Sequence, residues 1–164
     1  MANSSKVKFD ELGFAHIWVN IPEKDKITGV RLLFKFDTGA SCNTIDKEDL
    51  YTLGYDDEWI KSGQELTGDF RPTVASGVPL DGCYKIILPE IRFGVFTGRN
   101  VRFITGLKGS FKLLLGTSTL QCFNWALDYE NGYCSYSKNP KLSCDLFNAT
   151  DQCFYSVDEL DSVK

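Results

Sequence analysis

The stretch VRLLFKFDTGASCNTI, Val30 to Ile45, decides the fold of this chain. Every second side chain in its first half is apolar, which predicts a strand with one well-buried face. Asp37 follows directly, so its carboxylate is expected at the end of that strand. Residues 38–41 then predict a tight turn, because Gly39 permits backbone angles closed to other residues and its small neighbours let a second chain segment approach closely.

Length and composition indicate a single domain. The 164 residues are enough to bury one core, and 43% hydrophobic with 24% charged residues is ordinary for a globular protein. Glycine is plentiful and runs with helical periodicity are scarce. We therefore expect a mostly β fold.

Charge and hydropathy narrow the set of partners. The net charge of -4 and the pI of about 5.0 argue against a polyanion-binding surface, so nucleic acid is not an expected partner. No apolar run approaches the roughly eighteen residues of a membrane helix, and no signal-like segment is visible. We expect no membrane partner and a cytoplasmic location.

Metal sites, cofactors and disulfides are not expected. The cysteines form no Cys-x-x-Cys pair and His16 is the only histidine, so the ligand spacings of zinc sites are missing. In a reducing compartment a chain of this size does not need disulfide bonds for stability, and free thiols are expected. The six cysteines are Cys42, Cys83, Cys122, Cys134, Cys144 and Cys153.

The segments before Asp37 predict a hairpin. Residues 14–21 alternate apolar and polar side chains, and the charged loop 22–29 would join them to the strand over residues 30–36. His16 is expected to pack half-buried in the first strand, because no Ser or Cys partner for a histidine-based triad can be located. Residues 1–6 are polar and are expected to be frayed.

Two short helical segments are predicted after the turn. Asp46 can cap a helix over residues 47–53 that Gly54 would close, and residues 56–61 add one more turn. Their carboxylates are expected to be helix caps or a solvated face, and not catalytic groups. These carboxylates belong to Asp46, Glu48, Asp49, Asp56, Asp57 and Glu58.

The remainder of the chain predicts further strands. Residues 84–88, 91–95 and 100–104 are three short candidates, interrupted by Pro89 and by a Thr-Gly pair. Residues 111–116 form an apolar run ending in glycine, followed by Thr117 as the cap of a helix over residues 118–123. Asn131-Gly132 between two apolar runs predicts a hairpin, in which Asp128 is expected to be structural.

The stretch Asp37-Thr38-Gly39-Ala40-Ser41 after an apolar strand resembles the active-site loop of the aspartic proteases, and its single copy resembles the retropepsin-like branch. That family carries large aliphatics, a glycine and a short helix nearer the C-terminus, which Leu113, Leu114, Leu115 and Gly116 with the following helix resemble. The resemblance implies that Leu114, Leu115 and Gly116 buttress the turn holding Asp37. It also implies a closed or partly open β-barrel of the acid-protease type with one or two short helices.

Family members also have a glycine-bearing β-hairpin, the flap, which closes over the substrate. Residues 72–80 lie at the expected distance, and small residues at the tip suit a mobile lid that hydrogen-bonds an extended peptide. An ordinary surface hairpin remains the alternative, since Pro79 stiffens one arm and the glycine pair of viral flap tips is missing. The flap and substrate-binding residues would be Thr73, Val74, Ala75, Ser76, Gly77 and Val78.

Aspartic proteolysis needs two carboxylates about 3 Å apart that share one proton. This chain supplies one, so two copies related by a two-fold axis would each contribute Asp37, and a homodimer is a requirement of the mechanism. By resemblance, Thr38 hydrogen-bonds across that axis and Gly39 offers its carbonyl to the substrate. Ala40 and Ser41 stand where the family has a small residue and a hydroxyl, and Ser41 would orient Asp37 or satisfy the turn.

These features predict a retropepsin-like aspartic endopeptidase, a hydrolase acting on an extended peptide or protein substrate. One alternative is a dimeric module of the same fold that binds peptides or proteins without cutting them. Another is an unrelated β-barrel in which the Asp-Thr-Gly turn only ends a strand. The expected organisation is an N-terminal arm over residues 1–13, the retropepsin-like domain over 14–137, and a tail or short appended element, such as a helix, over 138–164.

Overall fold

Strands dominate the structure. The computed structural model describes residues 3–73, 76–139 and 152–156, and within them the chain forms eleven strands, three short α-helices and a 3-10 turn at Gly68–Phe70. The strands are β1 (Asn3–Phe9), β2 (Ala15–Pro22), β3 (Gly29–Phe36), β4 (Asn43–Thr44), β5 (Gln64–Glu65), β6 (Cys83–Phe93), β7 (Phe96–Gly106), β8 (Leu114–Leu115), β9 (Phe123–Asp128), β10 (Tyr133–Lys138) and β11 (Cys153–Ser156). The helices are α1 (Lys47–Thr52), α2 (Asp57–Lys61) and α3 (Thr117–Leu120). The mostly β prediction is confirmed.

Six of these strands close into a barrel. Hydrogen-bonded neighbours lead from β6 through β7, β4, β8, β3 and β2 back to β6, where Asn20 pairs with Arg92. β8 runs parallel to β3 and β4 runs parallel to β7, whereas β2 and β3 form the antiparallel hairpin expected from the sequence. The barrel is thus of the closed kind, and β3 delivers Asp37 to one end of it.

β1 takes part in two sheets. Residues 7–9 pair with β2, whereas residues 3–6 pair with β10, which in turn pairs with β9. Val7, at the crossing point, is buried and donates its backbone N–H to the carbonyl of Gly132 at 2.9 Å. The expectation of a frayed start is therefore wrong for residues 3–6, because the late β9–β10 hairpin supplies a partner that lies far away in sequence.

β6 and β7 form one long hairpin in place of the three short strands expected. The ladder passes from the Leu88–Val101 pair to the Glu90–Arg99 pair. Pro89 and Asn100 lie at the skipped position, where Asn100 has a φ of 55°. Because proline has no N–H to donate, a strand tolerates it where the ladder makes no bond, and the prediction of a break at Pro89 is wrong for this reason.

The described part of the tail is a strand. β11 pairs with the start of β7, and Phe154 is fully buried against Gly98, where an added Cβ would lie 2.5 Å from the Phe154 ring. The tail helix that we expected is not formed over residues 152–156. Residues 140–151 and 157–164 lie outside the described residues, and the division of the chain into arm, domain and tail stays a prediction.

Aromatic side chains join the barrel to the sheet of β1, β10 and β9. The ring centroid of Phe93 lies 5.3 Å from that of Phe123, 5.9 Å from that of Tyr136 and 5.9 Å from that of Phe154. These four rings come from β6, β9, β10 and β11. The added strands are therefore packed on the barrel through one shared cluster.

The two consecutive helices begin at aspartates. Asp46 accepts a hydrogen bond from the backbone N–H of Glu48 at 3.2 Å, and Asp56 accepts one from Trp59 at 2.9 Å. Gly54, with a φ of 91°, follows the C-terminal end of α1. The cap and the closing glycine predicted for this helix are confirmed. None of the described helices is long and apolar enough to cross a membrane.

Asp46 makes a second bond that Asp56 lacks, which leads to a stability prediction. Its other carboxylate oxygen accepts from the backbone N–H of Phe111 at 2.8 Å and so ties α1 to the segment entering β8. We expect Asp46→Ala to lower the free energy of unfolding by about 2 kcal/mol and Asp56→Ala by about 1 kcal/mol. Urea unfolding followed by tryptophan fluorescence measures both; equal losses would mean that the bond to Phe111 contributes nothing.

Candidate active site

Asp37 stands at the point where β3 leaves the barrel. Its backbone N–H donates to the carbonyl of Leu115 at 3.0 Å, so the residue is fixed by the neighbouring strand β8. The turn then folds back: the Gly39 N–H donates to Asp37 Oδ1 at 2.9 Å, and the Ala40 N–H donates to the Asp37 carbonyl at 3.2 Å. The carboxylate is partly exposed, with Oδ1 held by the backbone of its own loop.

The apolar run before α3 packs directly against this turn. Leu114 and Leu115 pair in parallel with the last two residues of β3, and Leu115 is fully buried. An added Cβ at Gly116 would lie 2.5 Å from the carbonyl oxygen of Cys42 and 2.7 Å from that of Ala40. Only glycine allows this close approach of two backbones. The structure therefore brings the two motifs of the sequence into direct contact.

Thr117 and Ser41 extend this contact. The N–H of Thr117 donates to the carbonyl of Ala40 at 2.8 Å, and the N–H of Ser118 donates to the carbonyl of Ser41 at 3.3 Å. The cap position of α3 is Gly116, so the prediction that Thr117 caps the helix is wrong: Thr117 is the first helical residue, and its hydroxyl donates to the Ser41 carbonyl at 3.4 Å. Ser41 thus stabilises the turn through its backbone carbonyl, which accepts both of these hydrogen bonds.

The side chain of Thr38 lies exposed on the loop tip. Its hydroxyl bonds to none of the residues that the structure describes, and Gly39 and Ser41 beside it are exposed as well. A surface of this kind, formed by a carboxylate and a short hydroxyl side chain on a rigid turn, is open to contact with a second molecule. A single copy of the chain thus presents one carboxylate and no second acid within residues 37–41.

Asn43 is a site residue that the sequence interpretation missed. Its side chain is fully buried and lies between three segments. Oδ1 accepts from the N–H of Gly116 at 3.0 Å, and Nδ2 donates to the carbonyl of Arg102 at 3.0 Å and to the hydroxyl of Thr119 at 2.7 Å. The available signal in the sequence was an amide side chain two positions before Ile45, the apolar residue that ends the stretch Val30 to Ile45.

Residues 72–80, which the resemblance predicts to be the flap, are joined near their two ends by backbone pairing. Thr73 pairs with Pro79, and the N–H of Leu80 donates to the carbonyl of Pro72 at 2.8 Å. Ser76, Gly77 and Val78 are exposed at its tip, and Gly77 has a φ of 84°. The predicted flap residues Val74 and Ala75 lie outside the described residues.

The base of this hairpin is braced from one side. Arg71 Nη1 donates to Asp81 Oδ1 at 2.9 Å, and Arg71 Nε donates to the carbonyl of Gly68 at 3.0 Å. Among the described residues, no hydrogen bond joins the hairpin to residues 37–41. The hairpin is thus anchored at its base, and its described tip is open to solvent.

Cysteine chemistry is not supported near the loop. Burial raises the pKa of the Cys42 thiol, which keeps it in the protonated, weakly nucleophilic form. His16 lies on β2 and pairs with Asp10 at 3.1 Å; this hydrogen bond lowers the pKa of Asp10. The described residues hold no cluster of His, Cys, Asp and Glu that could bind a metal ion. Among the described residues 37–41, Asp37 supplies the one carboxylate.

A closed six-stranded barrel with an Asp-Thr-Gly turn packed on a Leu-Leu-Gly strand defines the acid-protease class of fold. A solved structure of a retropepsin-like aspartic protease from Rickettsia conorii is similar to this chain, with a TM-score of 0.58 and 23% sequence identity over 83% of this chain and 91% of that one. The chain therefore has the retropepsin-like fold. No protein-family model matches the sequence, and the curated proteins contain no match.

Proposed function

We propose that two copies of this chain form an aspartic endopeptidase in which the two Asp37 side chains make the catalytic dyad. The observation that carries the proposal is the position of Asp37 on a turn fixed by Leu115 and packed against Gly116. A rigid loop of this kind can bring two carboxylates together with little loss of conformational freedom. The similarity of the fold to a retropepsin-like protease supports the same reading.

The chemistry needs one proton on the pair. The ionised Asp37 takes a proton from a water molecule, whose oxygen attacks the carbonyl carbon of the scissile bond, while the protonated Asp37 of the other copy donates to the carbonyl oxygen. The tetrahedral gem-diol then collapses: the Asp37 that took the proton from water gives it to the leaving nitrogen, the carbon–nitrogen bond breaks, and the other Asp37 takes a proton from one hydroxyl of the intermediate, which restores one proton on the dyad. In this dimer Thr38 would hydrogen-bond across the axis, and the hairpin over residues 72–80 would cover the substrate.

The pH dependence of hydrolysis follows from the shared proton. We expect kcat/KM to give a bell-shaped profile on the acid side of neutrality, because activity is lost when the pair carries two protons and also when it carries none. Rates of cleavage of one fluorogenic peptide across buffers of constant ionic strength measure this profile. Activity that rises steadily toward alkaline pH would be incompatible with a carboxylate dyad.

A peptide-library digest tests the proposed function directly. Cleavage at defined bonds, abolished by a statine-type transition-state mimic, is the expected result, and the cleaved sequences report specificity. Peptides that bind without being cut would instead favour the non-catalytic dimeric module. Sedimentation of the chain with and without the inhibitor tests the dimer, since a strict monomer under both conditions lacks the second carboxylate.

We place this activity in the cytoplasm. The location is supported by the unbridged thiols of Cys42, Cys83 and Cys134, since free cysteines persist in reducing compartments. Imaging of a tagged full-length chain in its native cell tests the location.

A further inference from the structure

A groove of about 570 Å³ opens on the outside of the barrel, where β1 changes partners. Residues 7–9 of β1 stay on β2, but residues 3–6 turn away toward β10. The gap that this leaves is bounded by β1 on one side and by β6 with its turn at Gly94 on the other. An added Cβ at Gly94 would lie 3.1 Å from the hydroxyl of Ser5, so the two walls meet at this end.

The groove is strongly basic although the chain is acidic. Its walls carry the exposed side chains of Lys6, Lys8, Arg31 and Arg92, and no carboxylate belongs to its lining among the described residues. Only Arg92 of these four forms an ion pair with a described carboxylate, that of Glu90. Four cations on one short surface of a chain with a net charge of -4 indicate a local field that attracts negative charge.

Trp18 holds two of these cations in place. The Lys8 Nζ lies 5.3 Å from the centroid of the Trp18 ring, and the Arg31 guanidinium carbon lies 4.7 Å from it. Cation–π contacts of this length restrain long side chains without neutralising them. The cationic groups of Lys8 and Arg31 are therefore ordered before any ligand binds, which lowers the entropic cost of binding.

We propose that this groove binds an acidic segment of a protein or peptide. Lysine and arginine side chains from several strands can each meet a separate carboxylate, and guanidinium groups bind carboxylates through two parallel hydrogen bonds. A folded surface that is acidic overall repels a long polyanion, whereas a short acidic segment meets only the local positive field.

The Arg31 end of this groove is separate from Asp37. Arg31 and Asp37 are six residues apart along an extended strand, which places them about 20 Å from each other at roughly 3.3 Å per residue. Binding at the groove can therefore be measured without catalysis. A chain that fails to cleave peptides can still bind the acidic segment, and the two proposals fail independently.

Fluorescence anisotropy with a labelled decapeptide tests the proposal. The peptide alternates glutamate and alanine, its control has glutamine at each glutamate, and the protein is the full chain carrying Asp37→Asn so that nothing is cut. We expect the acidic peptide to bind and the glutamine peptide to bind at least about tenfold more weakly. Raising the salt concentration from 0.1 M to 1 M is expected to weaken binding, because the Debye length falls from about 10 Å to about 3 Å.

Charge reversal assigns the binding to the groove. K8E together with R31E is expected to weaken binding at least about tenfold, whereas K61E together with K112E, which reverses two exposed lysines elsewhere, is expected to change it less than about twofold. Circular dichroism checks that both double variants are folded. If the K8E and R31E double variant is not folded, the K8Q and R31Q double variant takes its place. Equal binding by all variants, or tighter binding of a single-stranded DNA decamer in the same groove, would refute the proposal.

Discussion

Asp37→Asn in every subunit is expected to reduce peptide hydrolysis by about 10³- to 10⁴-fold or more. Asparagine has nearly the shape of aspartate and keeps an oxygen that can accept the Gly39 N–H, so the turn and the contact with Gly116 should persist. What it loses is the ability to take a proton from water. The free energy of unfolding should therefore change little while activity disappears, which separates a chemical role from a structural one.

Mixing experiments show whether one Asp37 is enough. If each active dimer needs two aspartates, then activity in refolded mixtures of wild-type and Asp37→Asn chains falls with the square of the wild-type fraction. A linear fall would mean that each subunit works alone, and the dyad would be ruled out. Glu48→Gln is the matched control, because Glu48 is an exposed carboxylate on α1 and its removal should leave hydrolysis unchanged.

The loop that holds Asp37 could be predicted because its causes are local. An alternating strand, a glycine turn and a glycine-terminated apolar run each leave a pattern within a few residues. The same holds for the cap at Asp46 and for the hairpin around Asn131-Gly132, where Asp128 accepts from the Asn131 N–H at 3.0 Å. These features need no knowledge of the rest of the chain.

The features that sequence interpretation missed depend on distant partners. β1 changes sheets because β10 offers an edge more than a hundred residues later, and Tyr136 of that strand meets the Ser5 hydroxyl at 2.7 Å. β11 forms because β7 has a free edge and Gly98 leaves room for a ring. No sequence pattern within either segment indicates such a partner. The polar start was therefore expected to be frayed, and the acidic tail was expected to be an appended element such as a helix.

Asn43 is the clearest example of a residue whose role depends on partners distant in sequence. Its replacement is expected to have the second of the two largest effects. We expect Asn43→Ala to lower the free energy of unfolding by about 3–4 kcal/mol. The change leaves the Gly116 N–H, the Arg102 carbonyl and the Thr119 hydroxyl without this partner in a buried site, and it opens a small cavity. Asn124→Ala, at an exposed position on β9, should cost less than about 0.5 kcal/mol.

Urea unfolding at one fixed protein concentration measures both changes, since dimer formation would otherwise alter apparent stability. Asn43→Asp sharpens the test, because its carboxyl can accept from Gly116 only at the cost of burying a charge or keeping a proton. A buried acid keeps its proton to higher pH when folded than when unfolded, so this variant should lose stability as pH rises from about 4 to 7. If Asn43→Ala instead unfolds like wild type, then the loop of Asp37 is held by Gly116 and β8 alone, and the amide is dispensable.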